Sequence, residues 1–212
     1  MSLRFQALLL LVFQCAVARH IIAVDLKPET VEAFSRYVQA TEKHIDQQLA
    51  RPDRLLYIDG LADPSRTEIL TSLKNGQTFM QRLETRNDSG QVMSARGGLI
   101  HHWIGDVFIP GVSLVQVLDL VEDNNHHQDI YKPDVVRSRI VTRDGNDFKV
   151  GMRFRKKKVI TVTLNTEHDV HYSELDSTHW YSRSVSTRIA EVEHADKPDE
   201  REKPVGHDGG FL

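Results

Sequence analysis

The first strongly periodic stretch of the chain predicts an amphipathic helix over residues 28–50. Its apolar side chains recur at helical spacing, at Val31, Phe34, Val38, Ile45 and Leu49. Pro28 suits the first turn of a helix, and Glu29 is favourable beside the positive end of the helix dipole. One face of this helix is therefore apolar.

A strand and a second helix are predicted next. The apolar run "LLYI" at residues 55–58 is typical of a short strand. Asp63 is a good N-cap and Pro64 a good first helical residue, while Asn75-Gly76 is a typical stop signal. A helix is therefore predicted between these two signals.

After this helix, the period of the apolar positions changes to that of strands. Three strands are predicted, over residues 77–85, 91–96 and 99–109. Ser113 and Gln116 then form a capping box, which predicts a helix that ends at Asn124-Asn125. The apolar face of that helix consists of Leu114, Val117, Leu118 and Val121.

The second half of the chain predicts a meander of long antiparallel strands, over residues 135–143, 147–156, 158–172 and 179–192. In the second of them one face carries Phe148, Val150, Met152 and Phe154, and the other carries Lys149, Arg153 and Arg155. Such a sheet is covered on one face and wet on the other. The highly charged residues 193–210 are predicted to form a surface loop.

The N-terminal sequence indicates that the protein is exported. Arg4 precedes an apolar run, and the small residues at 16–18 fit the pattern that signal peptidase cleaves. Residues 1–18 are predicted to be an export signal, because the run is shorter than the roughly 20 apolar residues that a membrane anchor needs. The only cysteine, Cys15, lies inside this segment, so the mature chain is predicted to have no disulfide.

The composition is that of an ordinary soluble globular protein. The 212 residues include 27 Lys+Arg and 30 Asp+Glu, for a net charge of -3, and 40% of them are hydrophobic. This balance does not indicate a nucleic-acid partner. The chain is predicted to comprise the export signal at 1–18, a helical segment with short strands at 19–96, and a main domain at 97–212.

Two adjacent histidines, His101 and His102, lie in the motif "GGLIHHWIGDVFIPG". Neighbouring residues of a regular strand point to opposite faces, so these two cannot bind one metal ion together. The pair His126-His127 lacks the i, i+4 spacing of a zinc-binding helix. No metal and no cofactor are therefore predicted.

His168 is a candidate site residue on the third long strand. One face of that strand carries Ile160, Val162, Leu164, Thr166, His168, Val170 and Tyr172. Thr166 and His168 would be polar groups on an otherwise apolar wall, where they could orient the polar head of a ligand. The favoured interpretation is a strand end that leaves the core, with His168 facing water, because the polar residues lie in the strand's second half.

The last long strand has small side chains on one face, which carries Trp180, Ser182, Ser184 and Ser186. These serines would leave space rather than fill it. Arg183 and Arg188 are expected on opposite faces, so at most one of them points inward. An inward arginine would suit an anionic head group, although an arginine stem along an exposed face is commoner.

The basic run "RFRKKK" predicts, as an alternative role, peripheral contact with a membrane. Lys and Arg side chains gain free energy near anionic headgroups. The residues of this contact would be Arg153, Arg155, Lys156, Lys157 and Lys158. A basic run at a hairpin is more often a solvated turn, and the strand alternation already explains two of these positions.

The order of a strand, a capped helix and long antiparallel strands resembles exported bacterial proteins of the START-like superfamily. The motifs that carry the resemblance are "GGLIHHWIGDVFIPG", "YKPDVVRSR", "RDGNDFKVGMRFRKKKVITVTLNTEHDVHY" and "WYSRSVSTRIAEVE". The superfamily also includes lipid-transfer domains, polyketide cyclases and the major birch-pollen allergen. The resemblance implies an α+β helix-grip fold, in which a curved antiparallel sheet wraps a long C-terminal helix around a cavity for an apolar ligand.

Similar proteins continue beyond "HDGGFL" with further strands and that gripping helix. We therefore expect this chain to be a fragment that lacks the C-terminal helix. A sheet left uncovered would expose an apolar face. The helix at residues 28–50 is expected to cover part of that face, unless the chain associates with another copy.

These observations predict an exported, non-enzymatic domain that binds a hydrophobic or amphipathic small molecule, such as a lipid or a polyketide. The residues predicted to line its cavity are Trp103, Phe148, Val150, Met152, Ile160, Val162, Leu164, Thr166 and His168. No catalytic residue is predicted, since the chain contains no G-x-S-x-G, H-E-x-x-H, Walker or G-x-G-x-x-G motif. The alternatives are a membrane-surface protein and a cyclase- or dehydratase-type enzyme that uses a cavity histidine such as His168 as general acid and base.

Overall fold

The computed structural model describes residues 27–51, 54–157 and 161–204. The predicted export signal lies outside these ranges, and no helix within them is both long and apolar enough to span a bilayer. The architecture is α+β, as predicted. Helices and a two-stranded sheet precede a strongly curved antiparallel sheet of five strands.

Two helices form most of the N-terminal segment, and both are predicted from the sequence. Helix α1 (Pro28–Leu49) has the predicted proline in its first turn. Helix α2 (Ser65–Lys74) begins with Pro64 as its N-cap residue, rather than Asp63. It ends before Gly76, whose φ of 81° is the left-handed conformation that glycine adopts without strain.

The strand predicted at residues 55–58 is wrong. The chain instead forms a 3-10 turn at Tyr57–Gly60. The Asp59 carboxylate accepts a hydrogen bond from the Leu56 backbone N–H at 3.0 Å, and this bond closes the turn. Ile58 is buried within it, so the apolar run packs without being extended.

The two-stranded sheet pairs β1 (Phe79–Arg82) with β2 (Trp103–Asp106) in antiparallel register. Both strands lie inside predicted strands but are shorter. The strand predicted at residues 91–96 is wrong, since this segment contributes a single bridge between Val92 and Arg86. This two-stranded sheet, the ribbon, is therefore connected by loops and is not extended by a third strand.

The Tyr37 hydroxyl connects α1 to these loops, including the residue just before β2. It accepts a hydrogen bond from the Thr85 backbone N–H at 3.2 Å and lies 2.8 Å from Nδ1 of His102. The Thr30 hydroxyl donates to the Arg96 carbonyl at 2.7 Å. Tyr37, Thr85 and Thr30 are buried, so these bonds fix the helix on the ribbon.

We expect the Asp106→Asn change to stabilise this segment near neutral pH. Within the described ranges, one carboxylate oxygen of Asp106 is buried without a hydrogen-bond partner. Burial raises the pKa of Asp106, and the charge of Asp59 raises it further. A carboxyl with a raised folded-state pKa stabilises the fold below its unfolded pKa, and this contribution is lost as pH rises through the folded pKa.

Urea unfolding of the wild-type protein and of Asp106→Asn, measured from neutral pH down to the ordinary carboxyl pKa, checks the prediction. The gain in unfolding free energy should be largest near neutral pH and should shrink as the pH falls toward the ordinary carboxyl pKa. Asp88→Asn, at an exposed carboxylate, is the control. Destabilisation by Asp106→Asn near neutral pH would contradict the account.

Helix α3 (Leu114–Glu122) begins with the predicted capping box. The Ser113 hydroxyl accepts from the Gln116 backbone N–H, and the Gln116 side chain accepts from the Ser113 N–H. None of the residues of α3 is buried. Its last turn reaches the sheet, where Val121 packs against the core and its carbonyl accepts a hydrogen bond from the Tyr172 hydroxyl at 2.9 Å.

Five antiparallel strands form the main sheet in the order β3-β4-β5-β6-β7. They are β3 (Val135–Asp144), β4 (Asp147–Lys157), β5 (Thr161–Asp176), β6 (His179–Glu193) and β7 (Arg201–Pro204). The first four confirm the predicted meander. The fifth corrects the predicted surface loop, because β7 pairs with the end of β6 and extends the sheet.

The strand register defines an apolar face of the sheet. It carries Phe148, Val150, Met152 and Phe154 of β4, opposite Val170, His168, Thr166 and Leu164 of β5. The core cluster on this face consists of Phe148, Val150, Val170 and Tyr172, with Val121, Ile140, Met152 and Trp180 packed against it. Val150 is 0% exposed, and the Phe148 and Tyr172 rings meet edge to face at 5.3 Å.

The opposite face, termed the charged face, carries Lys149, Arg153 and Arg155. The alternation predicts that this whole face is exposed to solvent. The structure differs at Arg153, whose side chain is only 8% exposed. Its guanidinium donates to the two Glu200 carboxylate oxygens at 2.7 and 3.1 Å, and its Nε donates to Asn165 Oδ1 at 2.7 Å. The segment that follows β6 therefore covers this part of the charged face.

The edge strand β3 is bonded to side chains that precede it in the chain. The Ser138 backbone N–H donates to Gln128 Oε1 at 3.0 Å, and the Ile140 backbone N–H donates to Asn125 Oδ1 at 2.9 Å. Gln128 belongs to a short helix, α4 (His127–Ile130). Two backbone donors of the edge strand are therefore satisfied within the chain.

Helix α1 does not cover the apolar face in the way that we expect from the sequence. Among the described residues, the core cluster and the side chains packed on it include none from α1. Asp46 of α1 instead forms an ion pair with Arg183. Arg183 lies opposite His171 and therefore on the charged face.

Candidate functional site

Most of the predicted cavity residues share the apolar face of the sheet. Those that do are Phe148, Val150, Met152, Val162, Leu164, Thr166 and His168. Trp103 lies instead in β2 of the two-stranded sheet, where it is 53% exposed. Ile160 lies outside the described residues. The candidate site is therefore built on β4, β5 and β6.

Thr166, His168 and Ser186 form a hydrogen-bonded group on the apolar face, termed the polar cluster. Nε2 of His168 lies 2.8 Å from Thr166 Oγ1, and Nδ1 lies 3.1 Å from Ser186 Oγ. The Thr166 hydroxyl donates to the Met152 carbonyl at 3.4 Å, which leaves its oxygen to accept from Nε2–H. Nδ1 then accepts from the Ser186 hydroxyl, so both nitrogens of a neutral imidazole are satisfied.

The interpretation of His168 as a strand end facing water is wrong. Val170 and Tyr172 follow it on the same face of β5, and both are buried. Val150, directly opposite His168 on β4, is fully buried. The strand therefore continues along the core beyond His168, and the apolar residues after it in the sequence are the signal for this.

Burial lowers the pKa of His168 from its ordinary value. The imidazolium form would lose hydration on an apolar face, so the neutral form is favoured. The partners of the ring in the structure are hydroxyls rather than carboxylates. A neutral imidazole offers one donor and one acceptor, so the polar cluster can exchange an internal bond for one to a hydroxyl or carbonyl of a ligand.

Sequence reasoning does not identify Ser186 as the partner of His168. The hairpin between β5 and β6 contains the signal, because Glu174 lies opposite Trp180. Counting outward from this pair along both strands sets Ser186 opposite His168, as the structure has it. Identifying Ser186 therefore requires the pairing of β5 with β6, because the pattern along one strand does not contain it.

Small exposed side chains continue from Ser186 along β6. Ser184 and Ser182 lie opposite Val170 and Tyr172 on the apolar face, and both serines are exposed. Val170 and Tyr172 are nevertheless buried, so other side chains cover them. The expectation from the sequence that the serine row leaves space stays a prediction.

Arg183 and Arg188 both lie on the charged face, so the prediction that they point to opposite faces is wrong. Arg183 lies opposite His171, and Arg188 lies opposite Glu167. These two β5 residues are separated by an even number of positions and so share a face. The register shifts beside Glu167, where Thr187 is the extra residue of a β-bulge that reverses the alternation.

The basic run is largely paired with carboxylates. Its ion pairs join Arg153 to Glu200, Arg155 to Asp196, and Lys156 to Asp134. Lys157 is exposed at the end of β4, and Lys158 lies outside the described residues. The run therefore offers less free positive charge to an anionic surface than the sequence suggests.

The other histidine pairs do not converge on a common point. His101 is exposed, while His102 lies beside the Tyr37 hydroxyl. Nδ1 of His126 lies 2.8 Å from Oδ1 of Asp123, the residue three positions before it. In the part of the chain that the structure covers, no group of three or more His, Cys, Asp or Glu side chains could hold a metal ion.

The resemblance to the START-like superfamily rests on sequence motifs and on the order of the elements. The strongly curved antiparallel sheet confirms the α+β architecture but does not identify the superfamily, so the resemblance stays a prediction. The helix-grip arrangement itself remains a prediction. No family model, no curated protein and no solved structure matches this chain.

Proposed function

We propose that the apolar face binds a hydrophobic or amphipathic small molecule, such as a lipid or a polyketide, with its polar group at the polar cluster. The observation that carries this proposal is the cluster itself, two hydroxyls and a neutral imidazole on an apolar wall. Small-molecule sites are typically apolar and contain a few placed polar groups that orient the ligand. An exported carrier of such a molecule is the function that follows.

The surroundings of the polar cluster support a ligand of this kind. His168 lies between Val150 on β4 and Ser186 on β6, so the cluster has an apolar residue on one side and a half-buried serine on the other. Ser184, in the row beside His168, is exposed, so the site can be reached from β6. An aliphatic chain could cover the apolar side chains while its polar end reaches the imidazole.

Exposed apolar residues elsewhere in the domain also support binding of an apolar partner. They lie on α3 and the loop before it: Val107, Phe108, Ile109, Val112, Val115 and Leu120. Contiguous exposed apolar side chains mark binding surfaces more often than ordinary protein surface. A test of the proposal must therefore separate binding at the polar cluster from binding to these residues.

We expect Ser184→Trp to weaken binding of the uncharged fluorophore N-phenyl-1-naphthylamine by at least about tenfold, which corresponds to 1.4 kcal/mol. The indole would lie in the row beside His168 and Ser186 and would obstruct access to the polar cluster. Fluorescence titration of the purified protein measures the affinity. The matched control is Val185→Trp, one residue further along β6 and on the charged face opposite Asp169.

The wild-type protein and Val185→Trp should bind the fluorophore equally and saturably. Circular dichroism spectra of the three proteins establish that they are folded alike. Absence of saturable binding to the wild-type protein would contradict the proposal. So would an equal loss of affinity in both variants, because the binding site would then lie elsewhere.

A second candidate function is a cyclase- or dehydratase-type enzyme with His168 as general acid and base. The lowered pKa of His168 favours it, because a neutral imidazole can remove a proton near neutral pH. The Ser186 hydroxyl on Nδ1 holds the ring in place. Turnover of a β-hydroxy carbonyl compound that His168→Ala leaves unchanged would remove this candidate, with His171→Ala on the charged face as control.

A membrane-surface function through the basic run has less support. Arg153, Arg155 and Lys156 are already paired with carboxylates, so binding would have to break ion pairs or rely on Lys157. Binding to anionic vesicles that falls steeply with salt would favour this function. Binding that ignores salt would count against it.

A further inference from the structure

We infer that the polar group recognised at the polar cluster is uncharged, so that the site selects an alcohol, ketone or ester over a carboxylate or phosphate with the same apolar chain. This inference rests on the proposed function, because it concerns the ligand of the same site. It follows from where the charged side chains of the sheet lie. The rows of residues across the sheet show this directly.

The polar cluster lies in two adjacent rows that contain no charged side chain. One row consists of Ile140, Val150, His168 and Ser186, and the next of Ser138, Met152, Thr166 and Ile189. A ligand group at the cluster therefore meets hydroxyls, an imidazole and apolar side chains. No ammonium or guanidinium from these rows faces it.

The row on the other side of His168 contains one cation, Arg143. Its guanidinium already has partners within the chain. Arg143 lies opposite Phe148 at the end of β3, and its guanidinium carbon is 4.3 Å from the centre of that ring. Its Nη2 donates to Glu122 Oε2 at 2.8 Å, and its Nε donates to the Gly145 carbonyl at 3.1 Å. An anionic ligand would have to compete with Glu122 for this charge.

The β-bulge at Thr187 turns the one other cation that β6 could supply, Arg188, away from the apolar face. With unbroken alternation from Ser186, Arg188 would point to the apolar face. The bulge instead sets it opposite Glu167 on the charged face, where it pairs with Glu202. Beyond the bulge, the apolar face carries a carboxylate, Glu191 opposite Leu164, which would repel an anion.

These features make a charged head group unfavourable and a neutral one favourable. A carboxylate that leaves water for this face would lose its hydration without gaining a cationic partner. A hydroxyl or carbonyl group would find a donor and an acceptor in the imidazole and the serine hydroxyls. The specificity therefore comes from the absence of a free cation in these described rows, together with a satisfied neutral network.

Calorimetric titration of the full chain near neutral pH with 1-dodecanol, methyl dodecanoate and dodecanoate tests the inference, because the three probes share one apolar chain. We expect the alcohol and the ester to bind at least about tenfold more tightly than the carboxylate. Equal or tighter binding of the carboxylate overturns the inference but leaves the proposed function intact. Absence of binding by all three probes overturns both.

A designed cation provides the second arm of the test. Ser184→Arg would place a guanidinium on the apolar face, in the row beside His168. It should raise the affinity for dodecanoate relative to 1-dodecanol by about tenfold or more, since an Arg–carboxylate pair is a strong charge-assisted contact. Val185→Arg, on the charged face, should leave the ratio unchanged, and an unchanged ratio in Ser184→Arg would overturn the inference.

Discussion

Phe148→Ala is expected to lower the free energy of unfolding by about 3–5 kcal/mol, the range typical of truncating a buried aromatic side chain. The Phe148 side chain is 3% exposed at the centre of the core cluster. Its ring packs edge to face against Tyr172 and lies under the guanidinium of Arg143. Truncation would remove the transfer free energy of the ring, leave a cavity and end both ring contacts.

Urea unfolding followed by circular dichroism measures this change. Phe108→Ala is the matched control, because Phe108 is 47% exposed in the loop before α3 and should contribute no more than about 0.5 kcal/mol. Because small domains have unfolding free energies of only about 5–15 kcal/mol, this loss is a large fraction of the total stability. Equal effects of the two substitutions would contradict the core assignment.

Arg153→Ala is expected to lower the free energy of unfolding by about 2–3 kcal/mol, since it removes charge-assisted hydrogen bonds made by a buried guanidinium. Its loss would leave Asn165 and Glu200 without their main partner. Arg36→Ala is the control, because the exposed pair Arg36–Glu32 is an ordinary helical ion pair worth about 0.3–0.5 kcal/mol. Similar effects of the two changes would show that the charged face is not packed at Arg153.

The ion pair between Arg153 and Glu200 also predicts that the effect of Arg153→Ala on stability depends on pH. The Arg153 guanidinium lowers the pKa of the Glu200 carboxyl to about 2, chiefly through their hydrogen bond. A carboxyl with a lowered folded-state pKa stabilises the fold above its unfolded pKa, and this contribution is lost as the pH falls through the folded value. The difference between the wild-type protein and Arg153→Ala should therefore persist at neutral pH and shrink in strong acid.

The long elements could be predicted from the sequence because one physical signal dominates each of them. Helix α1 follows a helical apolar period, and the start of α3 is fixed by the reciprocal bonds of Ser113 and Gln116. The β4 strand carries apolar residues at every second position from Phe148 to Phe154. In each case burial of one face and local hydrogen bonding favour the same structure.

The short elements are harder to predict because tertiary contacts outweigh local preference there. Residues 55–58 have strand propensity, but a hydrogen bond from Leu56 to Asp59 turns the chain. Residues 91–96 are predicted to form a strand, yet only Val92 among them pairs with another segment, at Arg86. Propensity over so few residues is small compared with one side-chain hydrogen bond and one packing contact.

The candidate site could be located from the sequence but not assembled from it. Alternation along β5 sets Thr166 and His168 on the apolar face, whereas Ser186 belongs to a different strand. The bulge at Thr187 inverts the faces assigned to Arg188 and its successors, and counting along one strand cannot detect an inserted residue. The burial of Arg153 depends on Glu200, which lies far away in the sequence.

The side-chain amides on the edge of β3 also affect how the protein behaves at high concentration. A free strand edge is a template on which another chain can add a strand, and repetition of that step produces aggregates. Asn125 and Gln128 occupy backbone donors that such a strand would need at Ile140 and Ser138. The sheet therefore resists growth from its β3 side, and self-association by strand addition would have to begin elsewhere.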